Sequence, residues 1–362
     1  MHYHFIGICG VSMSGLAKLL EHKGFTVTGS DLSLGGHGSL PTGVDIVVKS
    51  GAIGDDNPEV TEARSLGLPV VDRSLLLAQI SREYKNVIAV AGTSGKSTTT
   101  AMIGEVFKAA GLDPTVHNGI PNGLTIGGKD FFITEACEFQ KSFLTLYPKL
   151  GVITNIRPDH INCYEDFDDL KKSFDQFKEQ STNHCIPRKT KIKLKVLGEH
   201  NLENAQLALG AALHFGIDEK VAIDALENFN GIHRRFEILV NGVVSDYAHH
   251  PDEIKTTIAT ARMLYKNFLI VFQPHTYSRT VNLFNEFVDV LKSANTVFFK
   301  TYSAREDEII GGRSEDLAEA LNQPFFDCEK RLVSFLKKIA HKYEAIIFTG
   351  AGDIDAIARS YY

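Results

Sequence analysis

Short apolar runs alternate along the chain with longer stretches in which apolar positions recur every three or four residues. A short run reads as a strand covered on both faces and the longer period as an amphipathic helix, so the alternation predicts βαβ units and mainly parallel sheets. The expected fold class is α/β. Strand-like runs fall at residues 4–8, 45–48, 87–91, 131–134, 151–155, 268–272, 296–300 and 345–348, most of them followed by a glycine, a capping residue or a charged loop.

Three seams interrupt this pattern. Polar residues 81–86 separate a first α/β unit from the strand that follows. Residues 180–195 are polar and basic, show no helical face and end in a short alternating run, which reads as an excursion inside one domain. The last seam falls at residues 231–235, after helical stretches that begin at Asn201 and Glu219. Domains at 1–85, 86–232 and 233–362 are expected, and 362 residues suffice for three separate cores.

Composition then removes whole classes of function. With 43% hydrophobic and 23% charged residues and no biased tract, the chain is built to fold. A formal charge of −6 without a long basic run argues against a nucleic-acid surface. Cys9, Cys137, Cys163, Cys185 and Cys328 are scattered and never spaced as a CxxC pair, which predicts a reducing, cytoplasmic setting and no zinc cluster. The apolar N-terminus has no basic flank and carries glycines where a strand would turn into a helix, so it reads as a βα unit. No stretch reaches the roughly 18 apolar residues of a membrane span.

The chemistry concentrates first in residues 87–111, where a strand runs into Gly92, Thr93, Ser94, Gly95, Lys96, Ser97 and Thr98 and a helical stretch leaves. Glycines let backbone N–H groups wrap a phosphate, the helix start adds positive potential, Lys96 neutralises β and γ oxygens, and Ser97 can ligate magnesium. The loop departs from the general phosphate-loop pattern at Val90, where the first glycine would stand. In the C-terminal third, Asp246 at a strand end can accept hydrogen bonds from a ribose or an amine. There His249, His275 and Arg279 form a cationic rim suited to an amino-acid carboxylate. Near the N-terminus, Gly7, Gly10 and Gly15 do not follow GxGxxG, so a nicotinamide dinucleotide fingerprint is weak.

The segment AVAGTSGKSTTT resembles the phosphate loop of the Mur ligases, which also lack the first glycine, and the resemblance continues in order through the chain. ITEACEF and TNIRPDH are similar to the family's segments whose glutamate and histidine hold magnesium, which implies Glu135 and His160. Cys137 stands where the family has an acid, with Glu138 as a substitute. GEHNLENAQLAL implies that Asn201 faces the adenine, although an asparagine there also suits a helix N-cap. FNGIHRRFEIL implies that Arg235 reaches the nucleotide phosphates, and Asp246 joins it in the nucleotide site; a surface ion pair is the plainer reading of the arginines. IGICGVSMSG resembles a loop that holds a uridine diphosphate, which implies Gly10, Ser12, Met13 and Ser14, with Asp31 near the uridine and Ser50 near the diphosphate.

DYAHHPDE and FQPHTYSRT match the branch that joins UDP-N-acetylmuramate to L-alanine better than the later branches, although Thr276 replaces the family's arginine after His275. The fold so implied is a Rossmann-like N-terminal unit, a central P-loop ATPase domain with a parallel sheet, and a Rossmann-like C-terminal domain. The reaction implied is ATP- and magnesium-dependent: an acyl phosphate forms on the sugar acid and an amino acid displaces phosphate, with closure of the third domain excluding water. The partners implied are small molecules, namely ATP, a UDP-sugar acid and an amino acid, around a monomer or weak homodimer. The stretches 31–47 and 180–198 are shorter than in the family, which keeps open a different acid substrate or a non-catalytic, regulatory nucleotide-binding role.

Overall fold

The protein, seen in a computed structural model, is described over residues 1–36, 38–157, 163–240, 242–303 and 308–361. It divides into two compact units, Met1–Asn230 and Gly231–Tyr362.

The first unit carries two sheets. In one, β1 (His2–Ile6), β2 (Thr26–Ser30), β3 (Ile46–Lys49) and β4 (Val70–Asp72) lie in the order β2-β1-β3-β4, all parallel. The other contains β5 (Asn86–Ala91), β6 (Thr115–His117), β7 (Leu124–Thr125), β8 (Phe131–Glu135), β9 (Leu150–Ile153) and β10 (Asn183–His184). Their order is β10-β9-β5-β8-β6-β7, with only the β6–β7 pair antiparallel. One apolar cluster serves both sheets, running from Phe5 and Leu16 through Ala89 to Phe132, Phe143 and Phe174.

The second unit holds β11 (Glu237–Val240), β12 (Val243–Asp246), β13 (Phe268–Phe272), β14 (Asn295–Phe299), β15 (Phe325–Phe326) and β16 (Ala345–Thr349) in the order β11-β12-β16-β13-β14-β15. Its central strand shows why an unbroken apolar run is needed. Phe268, Ile270 and Phe272 enter the core on one face of the sheet and Leu269 and Val271 the core on the other, so a polar residue at any of the five would be buried without a partner.

Two expected runs are cut by two residues at their C-terminal ends, each for a physical reason. β1 ends at Ile6 because Gly7 turns the chain at φ 85°, and β9 ends at Ile153 because the next two side chains turn to another task, described below. The strands that escaped sequence reading include β6, β7, β10 and β15, two or three residues long and too short to show a period.

The expected alternating run before residue 195 forms no strand. Instead, Arg188 N–H donates to the Gln206 carbonyl, Gln206 returns a bond to the Thr190 carbonyl, and Lys193 N–H donates to Glu227. The segment is thus tied along two helices, Glu199–His214 and Glu219–Glu227. No helix among the described residues is long and apolar enough to cross a membrane.

Candidate active site

β5 is buried at every position and runs out at Ala91, where Gly92 (φ 135°) and Gly95 (φ 86°) take angles that side chains resist. Space demands them too. A Cβ on Gly92 would collide with Thr154 Oγ1, and one on Gly95 would stand 2.6 Å from Asn204 Oδ1. The loop is gripped from the β9 side: Thr93 N–H donates to the Asn155 carbonyl (3.0 Å) and Ser94 N–H to Asn155 Oδ1 (3.1 Å). The Ser94 carbonyl accepts from Thr154 Oγ1 (2.6 Å) and Asn155 Nδ2 (2.9 Å). Helix Lys96–Ala109 starts from Gly95 without a side-chain cap, which leaves its first-turn N–H groups, those of Ser97 and Thr98 among them, for an anion.

Lys96 Nζ folds back on its own loop, donating to the carbonyls of Gly92 (2.6 Å) and Thr93 (3.1 Å), and pairs with Glu138 Oε2 at 2.9 Å. Burial would lower the pKa of Lys96, but the Glu138 carboxylate outweighs it and raises the value, so the group is a fixed cation. Glu138, 2% exposed, is bound to the lysine, one residue from the Cys137 that stands in the place of the family's acid. Burial first, and the Glu138 charge second, push the Cys137 thiol up.

Glu135 closes β8, paired in register with Val90 of β5. β8 and β9 flank β5 and do not adjoin each other, so the segments expected to hold magnesium approach the loop from opposite sides. His160 lies outside the described residues. The turn after β6 joins the remaining two groups: Gly119 N–H donates to Glu135 Oε1 (2.5 Å) and Asn118 Nδ2 to the Ser97 carbonyl (3.0 Å). Asn118 is 5% exposed, and its Oδ1 has no partner among the described residues. The Ser97 hydroxyl, the Glu135 carboxylate and this orphaned amide oxygen are hard oxygen donors, the kind magnesium takes alongside phosphate oxygens and water.

Asn201 does not cap its helix. Gly198 is the N-cap, and Asn201 Nδ2 donates back to the Leu197 carbonyl (2.7 Å). The side chain that reaches the phosphate loop from this helix is Asn204, 4% exposed against Gly95. It was legible as the second asparagine of the HNLEN pattern, one turn further on.

At the first sheet, Gly10 is the N-cap of helix Val11–His22. Asp31 accepts from Cys9 N–H (3.2 Å) and from Ser33 N–H (3.0 Å), which pins the glycine loop to the turn after β2. Ser50 Oγ abuts Gly7, 3.5 Å from where a Cβ would stand. Ser14 Oγ donates to the Val11 carbonyl, and Ser12 Oγ lies 3.1 Å from His117 Nε2. Met13 is a correction: at 2% exposure its side chain belongs to the core, as an apolar residue on the buried face of an amphipathic helix must, and only its backbone is left for a ligand.

In the second unit, β16 lies between β12 and β13, so the strands carrying the predicted rim are successive in sequence but separated in the sheet. Arg234 binds the carbonyls of Gly350 (2.6 Å) and Gly352 (2.9 Å), locking the loop after β16. Arg235 stands 3.8 Å from Glu253, over the Tyr247 ring. His249, His275 and Arg279 do come together: the imidazole centroids are 5.8 Å apart, and Arg279 Nη1 donates to the His275 carbonyl (2.8 Å). Tyr302 stacks on His275 at 5.4 Å, and Glu253 accepts from His249 N–H (3.1 Å). Neither partner was singled out, although Glu253 follows His249 by one helical turn in HHPDE.

Burial lowers the His249 pKa despite Glu253. It would raise Glu253, but His249 and Arg235 hold that carboxyl at about 2. Asp246, 8% exposed, is pushed up to about 6 by burial, against hydrogen bonds from Ala248 N–H and Thr257 Oγ1.

Residues 2–85 match the model of the Mur ligase family catalytic domain, 90–186 the Mur ligase middle domain and 234–352 the Mur ligase glutamate ligase domain. A UDP-N-acetylmuramate–L-alanine ligase of Lachnospira eligens is 36% identical, covering 98% of this chain and 96% of its own length. One of Acetivibrio thermocellus is 35% identical, covering 99% and 95%. The first alignment runs over 441 residues against 362 here, so that relative carries internal segments this chain lacks. The crystal structure of UDP-N-acetylmuramate-alanine ligase from Thermotoga maritima, 27% identical, superposes with a TM-score of 0.83 over 100% of this chain and 98% of its own. A murein peptide ligase of Psychrobacter arcticus, 21% identical, shares the fold at 0.67 over 100% and 98%. With matched segments in order along the chain and full-length relatives above 30% identity, this chain belongs to the Mur ligase family.

Proposed function

We propose that this chain joins L-alanine to UDP-N-acetylmuramate at the expense of ATP, in the cytoplasmic synthesis of peptidoglycan precursors. The name shared by its full-length relatives supports the substrates. The observation that carries the chemistry is the buried Lys96 ammonium, held by Glu138 at the mouth of a loop rigidified by Thr154, Asn155 and Asn204. A cation so placed needs only a change of rotamer to leave the carbonyls of Gly92 and Thr93 for the β and γ oxygens of a triphosphate.

In the first step a carboxylate oxygen of the acid forms a bond to the γ-phosphorus as the bond to the β–γ bridging oxygen breaks, giving an acyl phosphate and ADP. Lys96 and the first-turn N–H groups stabilise charge on the transferring oxygens. Magnesium, held by Ser97 and Glu135 and, by family resemblance, His160, would supply further neutralisation of that charge. In the second step the amine of the amino acid attacks the acyl carbon, phosphate leaves with the bonding pair, and the amine gives up a proton. Arg279, steadied on the His275 carbonyl, pairs with the amino-acid carboxylate, and His249 and His275 line the same place.

The test is phosphate release from ATP and magnesium, screened against sugar acids and all amino acids. Release that requires UDP-N-acetylmuramate and L-alanine together is expected. Turnover that ignores both would sink the proposal.

A further inference from the structure

His117 was not singled out by sequence and belongs to none of the groups assigned above. It ends β6, is 3% exposed, and packs on helix Val11–His22 so closely that a Cβ on Gly15 would stand 3.3 Å from its ring. Its Nδ1 is 3.0 Å from Thr134 Oγ1 and its Nε2 3.1 Å from Ser12 Oγ, while Arg73 Nη1 donates to Ser12 Oγ at 3.1 Å. Burial, and after it the Arg73 charge, lower the His117 pKa to about 4. At neutral pH the ring is uncharged and offers one donor and one acceptor.

Counting protons orients the chain. The Thr134 hydroxyl has a single proton, directed at the Glu135 carbonyl (3.1 Å), so Thr134 Oγ1 must accept from His117 Nδ1–H. His117 Nε2 is then the acceptor and takes the Ser12 proton, and Ser12 Oγ in turn accepts from Arg73. The opposite tautomer would give up the Glu135 carbonyl bond and turn the Ser12 proton out of the chain, with Ser12 Oγ then accepting from both His117 Nε2–H and Arg73. The sequence Arg73 to Ser12 to His117 to Thr134 to the Glu135 carbonyl uses the one polar hydrogen that each of Ser12, His117 and Thr134 has to give, and one of the five N–H donors of Arg73. Among the described residues Arg73 has no carboxylate within ion-pair distance, and its hydrogen bond is the one to Ser12.

We propose that His117 is a positioning residue of the acid-substrate site: by taking the Ser12 proton it turns the Ser12 oxygen toward Arg73. That holds the guanidinium beside the glycine loop for an anionic group of the substrate. This rests on the reading of that loop as the UDP-substrate site. Ser12 is then an acceptor that steers a cation and has no proton to give a phosphate, and the remaining N–H donors of Arg73 do the recognising. The anionic group is the diphosphate or the reacting carboxylate.

Three measurements on the full-length protein test this. Nitrogen-15 NMR of the histidine rings should show His117 protonated at Nδ1 with a bare Nε2; a ring protonated at Nε2 would overturn the chain. His117→Leu, shown folded by its melting curve, should raise the KM for UDP-N-acetylmuramate about tenfold, the effect of losing a buried hydrogen-bond partner. kcat and the KM for ATP should stay nearly unchanged, and His117→Gln, whose amide reaches the Nε2 position, should recover most of the loss. Calorimetry with UDP as probe separates the two anions: weaker UDP binding by Arg73→Met and His117→Leu assigns the diphosphate. A KM effect without it assigns the carboxylate. Parent-like UDP binding and KM in both variants overturn the proposal. A parent that binds UDP but ligates nothing removes only the functional reading.

Discussion

The phosphate loop of the first unit and the histidine–arginine cluster of the second both sit at the C-terminal ends of parallel strands, yet they are held in opposite ways. The loop is shaped by backbone: two glycines at positive φ, carbonyls that hold Lys96, and N–H groups that donate hydrogen bonds to Asn155. Its one side-chain cation keeps its charge because Glu138 is buried against it. The cluster is shaped by side chains that set one another's charge, with His249 pushed toward neutrality, Glu253 held ionised and Asp246 titrating at about 6. A site built on backbone tolerates little change of shape and little notices pH. One built on coupled side chains behaves the other way.

The largest expected effect breaks the loop's single cation. Lys96→Ala should cost roughly a thousandfold or more in phosphate release. It also strands Glu138, at 2% exposure, so the melting temperature should fall, breaking a buried pair being worth about 3–5 kcal/mol. Adding Glu138→Gln should restore the melting temperature without activity. Double-variant protein that melts no higher than Lys96→Ala would show that the pair carries no stability.

Shape comes next. Gly95→Ala places a Cβ 2.6 Å from Asn204 Oδ1 at φ 86°, and a displaced loop should lose about a hundredfold in kcat/KM for ATP. Asn204→Ala in the same chain should relieve the clash and recover part of it; full activity in Gly95→Ala alone would contradict a backbone-shaped site. In the second unit, Arg279→Ala should raise the amino-acid KM about tenfold and leave the ATP KM nearly as it was. An equal loss of ATP affinity would mean that Arg279 serves a different ligand.

The pH contrast is sharpest at Asp246. Its carboxyl ionises at 3.8 when unperturbed and at about 6 in the fold, so the ionised folded form is disfavoured and stability falls as pH rises through that window. Asp246→Asn should gain stability over the parent between pH 4 and 6 and level off above. The net gain is about 1 kcal/mol once the weakened hydrogen bonds are allowed for. Denaturation curves with a pH-independent difference would place the carboxyl back in the ordinary range. Smallest of all is a leak of acyl phosphate to water, motivated by the short segment 180–198: the ratio of phosphate to amide should rise slightly above one. Because that segment is bonded along two helices, a strict one-to-one ratio would mean that it lies away from the chemistry.

The loop between β5 and the helix that starts at Lys96 was legible because its shape resides in consecutive residues whose order carries the geometry: strand, glycines, lysine, helix. The α/β class was legible for a related reason, since a strand such as β13, covered on both faces, must be apolar throughout. Glu135, His249, His275 and Arg279 could be named from motif strings, but their companions could not. Asn155 and Tyr302 are ordinary residue types at ordinary spacings, and Asn204 and Glu253, each about one turn beyond a residue already singled out, show their partners only in the fold.

Composition and local pattern thus determined the α/β class, the longer elements, the strand–glycine–lysine–helix order of the loop, and the absence of an apolar stretch long enough to span a membrane. Tertiary structure decided which side chain does what. It sent Met13 into the core, paired Glu138 with Lys96, and set β16 between the two strands of the histidine–arginine cluster. It also made His117 a strut between Ser12 and Thr134, 105 and 17 residues away. The reason is that a hydrogen bond or a buried ion pair depends on distance in space and on the protons each partner has left to give. Neither quantity exists until the sheets have brought distant segments together.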